Sequence, residues 1–276
     1  MRWREGTHEE FGRSLYVDNG VVEMIIPLEY GIRIRHFSFL NEENIFYCQP
    51  KYMSELTTEA GWRLYGGHRL WLAPEQEDTY CPDNHPICYS VLDNEVVLEQ
   101  SVDEWSKVKK SIRICFQEDA CVKVVHRIEN YGDDVINRSL WCVSVVAPGG
   151  TEYISLGEQE GSMSHWHRIS WWDHTSLGDV RATYKKNEIQ IQHMPIDERY
   201  KIGIAHPVTP VRYVNNGVIF EKDYDVNSDM LYPDGDVSFE TFFCRYMAEI
   251  ESLSPLHTLS PGESAEHTEV WRLKRI

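Results

Sequence analysis

Three short stretches carry the side chains that could do chemistry. Residues 65–75 read YGGHRLWLAPE: two glycines, then an imidazole, a guanidinium, an indole and a carboxylate within eight positions. On a strand, His68, Leu70 and Leu72 point to one side, and Arg69, Trp71 and Ala73 to the other. The glycines permit another backbone or a ligand to approach closely. His68 could pass a proton or a hydrogen bond to a ligand oxygen. Arg69 offers a planar fork of donors. Glu75, fixed behind Pro74, can accept from hydroxyls. The plainer alternative is a strand end with Arg69 and Glu75 as a surface pair.

The second stretch is EQEGSMSHWHRISWWDH (158–174). His165 and His167 lie two apart, so on a strand they share a face. Such a pair with a carboxylate can bind zinc or iron. No third ligand stands at metal-site spacing, so no metal is expected. Trp166, Trp171 and Trp172 suit a stacking loop, or else a loop packed on a sheet edge. The third stretch is CRYMAEIESLSP (244–255). Glu249 and Glu251 share one face of an otherwise apolar strand. A carboxylate there is costly unless it is paired or used. Facing a pocket, it would hold its proton more tightly, in the range of a general base. Facing solvent, it would have no such role.

Strands must position these groups. VVEMIIPL (21–28), IRIRHFSFL (32–40), EVVLEQSV (95–102), KSIRICFQ (110–117), CVKVVHRIEN (121–130), SLWCVSVVAP (139–148) and VSFETFFCRYMAEIES (237–252) alternate with period two. Turn signals such as Asn215-Asn216-Gly217 and Pro233-Asp234-Gly235 separate segments. Residues 51–62 suit one short helix or turn. Residues 151–200 suit long loops over a sheet face. The pattern predicts an all-β antiparallel sandwich or barrel, with residues 1–276 as a single domain.

Composition narrows the partners. The formal net charge is −17, which disfavours nucleic acid and anionic membrane surfaces. Nine Trp, fifteen Tyr and nine Phe supply strand formers and also surfaces that stack on the C–H faces of sugars. Seven Cys form no CxxC pair, and no run approaches membrane-spanning length, so reduced thiols in a cytoplasmic protein are expected. An exposed edge strand offers a route to a homodimer. There is no GxSxG, P-loop or GxGxxG motif.

Several stretches together resemble the galactose mutarotase-like (aldose 1-epimerase-like) superfamily. IPLEYGIRIRHFSFLNEENIFY (26–47) is similar to its first hairpin. HRIENYGDDVINRSLWCVSVVAPGG (126–150) is similar to its "Ntgdepvrl…W…apGG" strand pair. AEIESLSPLHTLSPGESAEHTEVWRL (248–273) is similar to its C-terminal "L-x-PGE" strand. The likeness covers most of the chain and lies closest to bacterial members of unassigned function. It implies a β-supersandwich with a sugar cleft on one concave sheet, and a small-molecule saccharide as partner. It also implies cofactor-free acid–base chemistry: a His protonates the ring oxygen while a Glu takes the anomeric hydroxyl proton. By that resemblance Glu249 matches the base. His68, His165 or His167 would be the acid, with Arg69, Trp71, Glu75 and Trp166 binding the sugar. Where active members carry a histidine in "N-x-T-x-H-x-Y-F-N", this chain reads RSLWCVSVV, with Trp141 near that position. Either another histidine does the acid's work, or the protein is a non-catalytic saccharide-binding module. A lyase or glycoside hydrolase using Glu75 and Glu249 is a third reading.

Overall fold

The computed structural model describes residues 1–49, 57–157 and 166–276. Antiparallel strands dominate it. In chain order they are β1 (Arg2–His8), β2 (Gly12–Asp18), β3 (Val22–Pro27), β4 (His36–Phe39), β5 (Gly67–Ala73), β6 (Cys88–Leu92), β7 (Glu95–Glu99), β8 (Val108–Phe116), β9 (Cys121–Asn130), β10 (Ile136–Val146), β11 (Thr151–Ser155), β12 (Ile169–Trp171), β13 (Ala182–Tyr184), β14 (Glu188–Gln192), β15 (Tyr200–Ile204), β16 (Val208–Asn215), β17 (Val218–Tyr224), β18 (Phe239–Phe243), β19 (Ala248–Leu253), β20 (His257–Leu259) and β21 (Ser264–Arg275). The predicted all-β sandwich is the fold observed. Among the described residues no helix is long and apolar enough to cross a membrane.

Strands β1 to β4 make one small sheet in sequential order. Ten strands make the largest sheet, in the order β13-β14-β11-β16-β17-β21-β9-β8-β7-β6. The sheet that matters most runs β12-β15-β18-β19-β10-β20, with β5 also paired to β10. Period-two alternation decides what each of its faces carries. On β10, Leu140, Cys142 and Val146 join the main core, while Trp141, Val143 and Val145 join a second apolar cluster on the outer face. The main core lies between this sheet and the ten-stranded one, where Phe37, Phe46, Phe220 and Trp271 pack edge to face.

Two expectations change. The stretch 237–252 is two strands, β18 and β19, folded back on each other. Cys244 N–H donates to the carbonyl of Met247, closing the hairpin. Continuous alternation hides that reversal, because a tight turn need not interrupt an apolar pattern. The stretch 151–200 contains parts of several sheets as well as loops. Of the segment 51–62, residues 51–56 lie outside the described residues. The remainder is a turn closed by a Thr57–Arg63 bridge, without a helix.

Candidate functional site

The glycines before His68 act as anticipated, on a backbone rather than a ligand. Gly66 and Gly67 have φ of 79° and 75°. A Cβ on Gly66 would lie 2.1 Å from the carbonyl oxygen of Tyr47, and one on Gly67 would lie 2.4 Å from that of Ile34. Only glycine lets β5 pass so close to these segments. Strand β5 then pairs with β10 along its whole length, which sets Arg69 opposite Val143 and Trp71 opposite Trp141.

Arg69 is 2% exposed on the outer face. Its guanidinium lies 3.6 Å from the ring centre of Trp71 and 4.8 Å from that of Trp62. None of its Nε, Nη1 and Nη2 atoms has a hydrogen-bond partner among the described residues. Burial, with Arg33 nearby, lowers its proton affinity to a pKa of about 9. A buried cation with no hydrogen bond is costly. The neighbouring indoles offset only part of that cost.

Across β10, strand β19 brings Glu249 opposite Val145 and Glu251 opposite Val143. Strand β18 adds Glu240 directly across from Glu251. Strand β15 adds Lys201, across from Phe242. The Lys201 Nζ lies 2.7 Å from Glu240 Oε2 and 3.6 Å from Glu251 Oε2. It also sits 4.6 Å from the ring centres of both Trp141 and Trp172. Trp141 Nε1 donates to Glu251 Oε2 at 2.7 Å. The Oε1 atoms of Glu240 and Glu251 have no hydrogen-bond partner among the described residues.

Burial and then Glu251 raise the pKa of Glu249 to about 7. Burial, with Glu251 and Asp234 outweighing Lys201, raises that of Glu240 to about 8. Burial opposes the charge on Lys201, but Glu251 and Glu240 prevail and hold it firmly protonated. Glu249 keeps partial solvent access, whereas Glu240 and Glu251 are buried. It is therefore the acid on this floor most open to a ligand.

Beside this floor is a cavity of about 430 Å3 lined by Ile169, Ser170, Trp171, Trp172 and Asp234. Asp234 occupies a turn with three successive positive φ values, 54°, 89° and 68° at Asp234, Gly235 and Asp236. Arg168 anchors that turn through a 2.9 Å ion pair to Asp236. Non-glycine residues held in this region are a local cost of the kind found at functional sites.

Of the residues singled out in the sequence, Arg69, Trp71 and Glu249 meet on this face. Glu75 is exposed and accepts a hydrogen bond from the Tyr80 hydroxyl, so it does not pair with Arg69. His68 requires a correction. It points into the core, with 0% exposure, because β5 alternates and Arg69 takes the outer side. His165 lies outside the described residues. His167 is half-buried and Trp166 is 62% exposed, just before edge strand β12. Lys201, Glu240 and Trp62 were missed. For the first two the signal was present: a lone charge in YKIGI and another in SFETFF, the same logic that marks Glu249. Trp62 carries no comparable signal.

On the inner face His68 belongs to a different cluster. Its Nε2 lies 2.7 Å from His126 Nε2, and its Nδ1 lies 2.8 Å from Ser144 Oγ. His126 Nδ1 donates to the carbonyl of His267. Lys222 Nζ lies 2.9 Å from Glu269 Oε1, and Trp271 Nε1 donates to Glu269 Oε2. One ligand atom from each of His68, His126 and Glu269 falls within 4.8 Å of the others, as in a metal site. A metal fits poorly there. The Lys222 ammonium is adjacent, and both Glu269 oxygens already accept hydrogen bonds.

No protein-family model matches this sequence, and no curated protein does. Solved structures do. A galactose mutarotase-like protein from Clostridium acetobutylicum superimposes with a TM-score of 0.59 at 9% identity, covering 100% of this chain and 99% of that one. One from Lactobacillus casei gives 0.58 at 10% identity, covering 95% and 100%. A TPR-domain containing protein from Parabacteroides distasonis gives 0.60 at 13% identity, with 95% of this chain matched to 47% of that one. This chain thus spans about half the length of that last protein. At such identities the likeness concerns architecture alone: the chain has the galactose mutarotase-like β-sandwich fold.

Proposed function

We propose that the outer face of this sheet binds a saccharide and that the protein is an aldose 1-epimerase-like isomerase with Glu249 as general base. The observation that carries the reading is the partly accessible Glu249 among buried groups with unmet hydrogen-bonding capacity: Arg69 and the free oxygens of Glu240 and Glu251. Ligand sites combine an apolar, aromatic lining with a few convergent polar groups of this kind. Trp62, Trp71, Trp141 and Trp172 supply that lining. A pKa of about 7 suits Glu249 to exchange protons at neutral pH. The fold it shares with galactose mutarotase-like proteins supports the substrate class. The proposed binding groups are Arg69 and Trp71, with Glu75 and Trp166 at the rim.

A second reading is a non-catalytic saccharide-binding module. It is favoured by Trp141, which fills the place where the resemblance expects a histidine and turns its N–H to Glu251. NMR anomer exchange across a panel of aldoses separates the two readings. Acceleration for one sugar, reduced about 10²–10⁴-fold in Glu249→Gln, is the expected result. Line broadening without acceleration would leave binding and remove the isomerase.

A further inference from the structure

We infer that the ligand is an oligosaccharide with a free reducing end, whose terminal unit lies over Arg69 and Glu249 and whose next unit fills the cavity lined by Trp171, Trp172 and Asp234; this rests on the saccharide-binding reading above. The aromatic floor is longer than one sugar. The ring centres of Trp62 and Trp71 are 5.3 Å apart, and those of Trp71 and Trp141 are 5.1 Å apart. Lys201 Nζ then lies 4.6 Å from the ring centre of Trp141 and 4.6 Å from that of Trp172. The row thus continues across one buried ammonium from the Arg69 end to Trp172. A pyranose ring is no larger than an indole, so one sugar leaves part of this row uncovered. Trp172 is fastened in place. Its carbonyl accepts from Thr175 N–H, and Thr175 Oγ1 donates to the Lys201 carbonyl at 2.7 Å while accepting from Lys201 N–H at 2.9 Å.

At the far end of the row is the cavity of about 430 Å3, lined by Ile169, Ser170, Trp171, Trp172 and Asp234. Its lining combines indoles with one carboxylate and one hydroxyl, a combination that meets both the C–H face and the hydroxyl edge of a sugar ring. Trp171 is 58% exposed and Trp172 half-buried, so both offer surface to a ligand. The turn that presents Asp234 is braced on β12. Tyr232 N–H donates to Asp236 Oδ1 at 2.9 Å, and Asp236 pairs with Arg168, just before that strand. A Cβ on Gly235 would lie 2.6 Å from Ser170 Oγ, so the turn passes close over the strand itself. Burial raises the pKa of Asp234, while Glu240, through a hydrogen bond, and Lys201, through its charge, oppose the rise. The cavity therefore adjoins the acidic end of the floor.

The two ends of the row differ. Trp62 and Arg69 are buried, so that end is closed, whereas the Trp171 end is open. A saccharide chain is seated with one terminus at Arg69 and the remainder leaving past Trp171. An isomerase needs a free anomeric carbon beside Glu249, which makes that terminus the reducing one.

Calorimetric titration of the wild type and of Trp171→Ala tests this. The probes are glucose, mannose and galactose, and the reducing disaccharides maltose, cellobiose, lactose, mannobiose and galactobiose. One disaccharide should bind the wild type at least about tenfold more tightly than its own reducing-end monosaccharide. Trp171→Ala should abolish that advantage. Asp234→Asn, close in shape and tolerant of the turn's positive φ, carries the same test if Trp171→Ala does not fold. A monosaccharide that binds as tightly as every disaccharide overturns the second subsite and leaves the saccharide reading standing. A disaccharide advantage that persists in the folded variant also overturns it. A wild type that binds none of these sugars overturns the saccharide reading and the subsite with it.

Discussion

The two faces of one sheet solve the same problem in opposite ways. Strands β5 and β19 send polar groups to both sides, and β10 between them adds Ser144 on the inner side. Inward go His68, Ser144 and Ser252, which meet His126, His267, Glu269 and Lys222 from the ten-stranded sheet. Outward go Arg69, Glu249 and Glu251, joined by Lys201 and Glu240. The inner set is deeply buried and closely hydrogen-bonded. Lys222 donates to two carbonyls and pairs with Glu269, while Ser252 donates to Glu269 and meets His267 Nε2 at 2.8 Å. The outer set leaves three guanidinium nitrogens and two carboxylate oxygens unmet. Each buried polar group left unpaired costs roughly 1–3 kcal/mol. The inner side is not free of unpartnered atoms, since Glu152 keeps its Oε1 without a partner among the described residues, but the outer face gathers five of them around Arg69, Glu240 and Glu251.

That contrast can be broken most sharply at Lys222. Lys222→Met would strand the Glu269 charge in the core and should cost about 3–5 kcal/mol. Adding Glu269→Gln should recover part of the loss, because the stranded charge goes with it. Urea unfolding of the single and double variants checks this. Equal stability of wild type and Lys222→Met would mean that the inner cluster does not hold the fold.

The pH dependence of stability should run in opposite senses for the inner imidazoles and for the buried carboxylates whose pKa is raised. Burial lowers the pKa values of His126 and His267 to about 4 and 3, and that of His68 well below its ordinary value. The unfolded chain protonates these imidazoles below about pH 6.5 while the native chain does not. Their contribution is therefore present above that pH and is lost as pH falls toward 4, by about 3 kcal/mol for His126. Glu240 and Glu249 are raised to about 8 and 7. The native chain keeps their protons after the unfolded chain has released them, so their contribution falls as pH climbs from about 4.5 through 7 and 8. Urea midpoints between pH 4 and 9 should thus show losses on both flanks. Glu240→Gln should reduce the alkaline loss, which Glu249 and Glu152 share, and leave the acid flank unchanged.

The smallest effect is expected at Arg69. Arg69→Met keeps the packing between Trp62 and Trp71 and removes an unpaired buried charge. Stability should hold or rise by about 1–2 kcal/mol, while saccharide affinity falls roughly tenfold. A destabilised Arg69→Met would place Arg69 with the inner cluster as a structural group. Unfolding and ligand titration on the same preparation decide it.

Much of this was legible in the residues. Alternation in SLWCVSVV and CVKVVHRIEN predicts strands, and both form in place. The split of YGGHRLWLAPE into a His68 side and an Arg69 side is the split observed. Glu249 and Glu251 share a face, as their spacing requires. Alternation does not say which face is the core. His68 and Arg69 are equally polar candidates in one dimension, and only the packing of β9, β17 and β21 behind β5 assigns His68 to the interior.

Pairing between distant strands was likewise out of reach. Nothing in YKIGI says that Lys201 will meet Glu240 and Glu251, because register is set by ladders that close across the whole sheet. The sequence alone determined the local facts: strand period, the glycines that permit close backbone approach, and acids on apolar strands. The tertiary structure decided which polar groups found partners and which were left facing outward, because hydrogen bonds and charges are settled only between side chains that folding brings together.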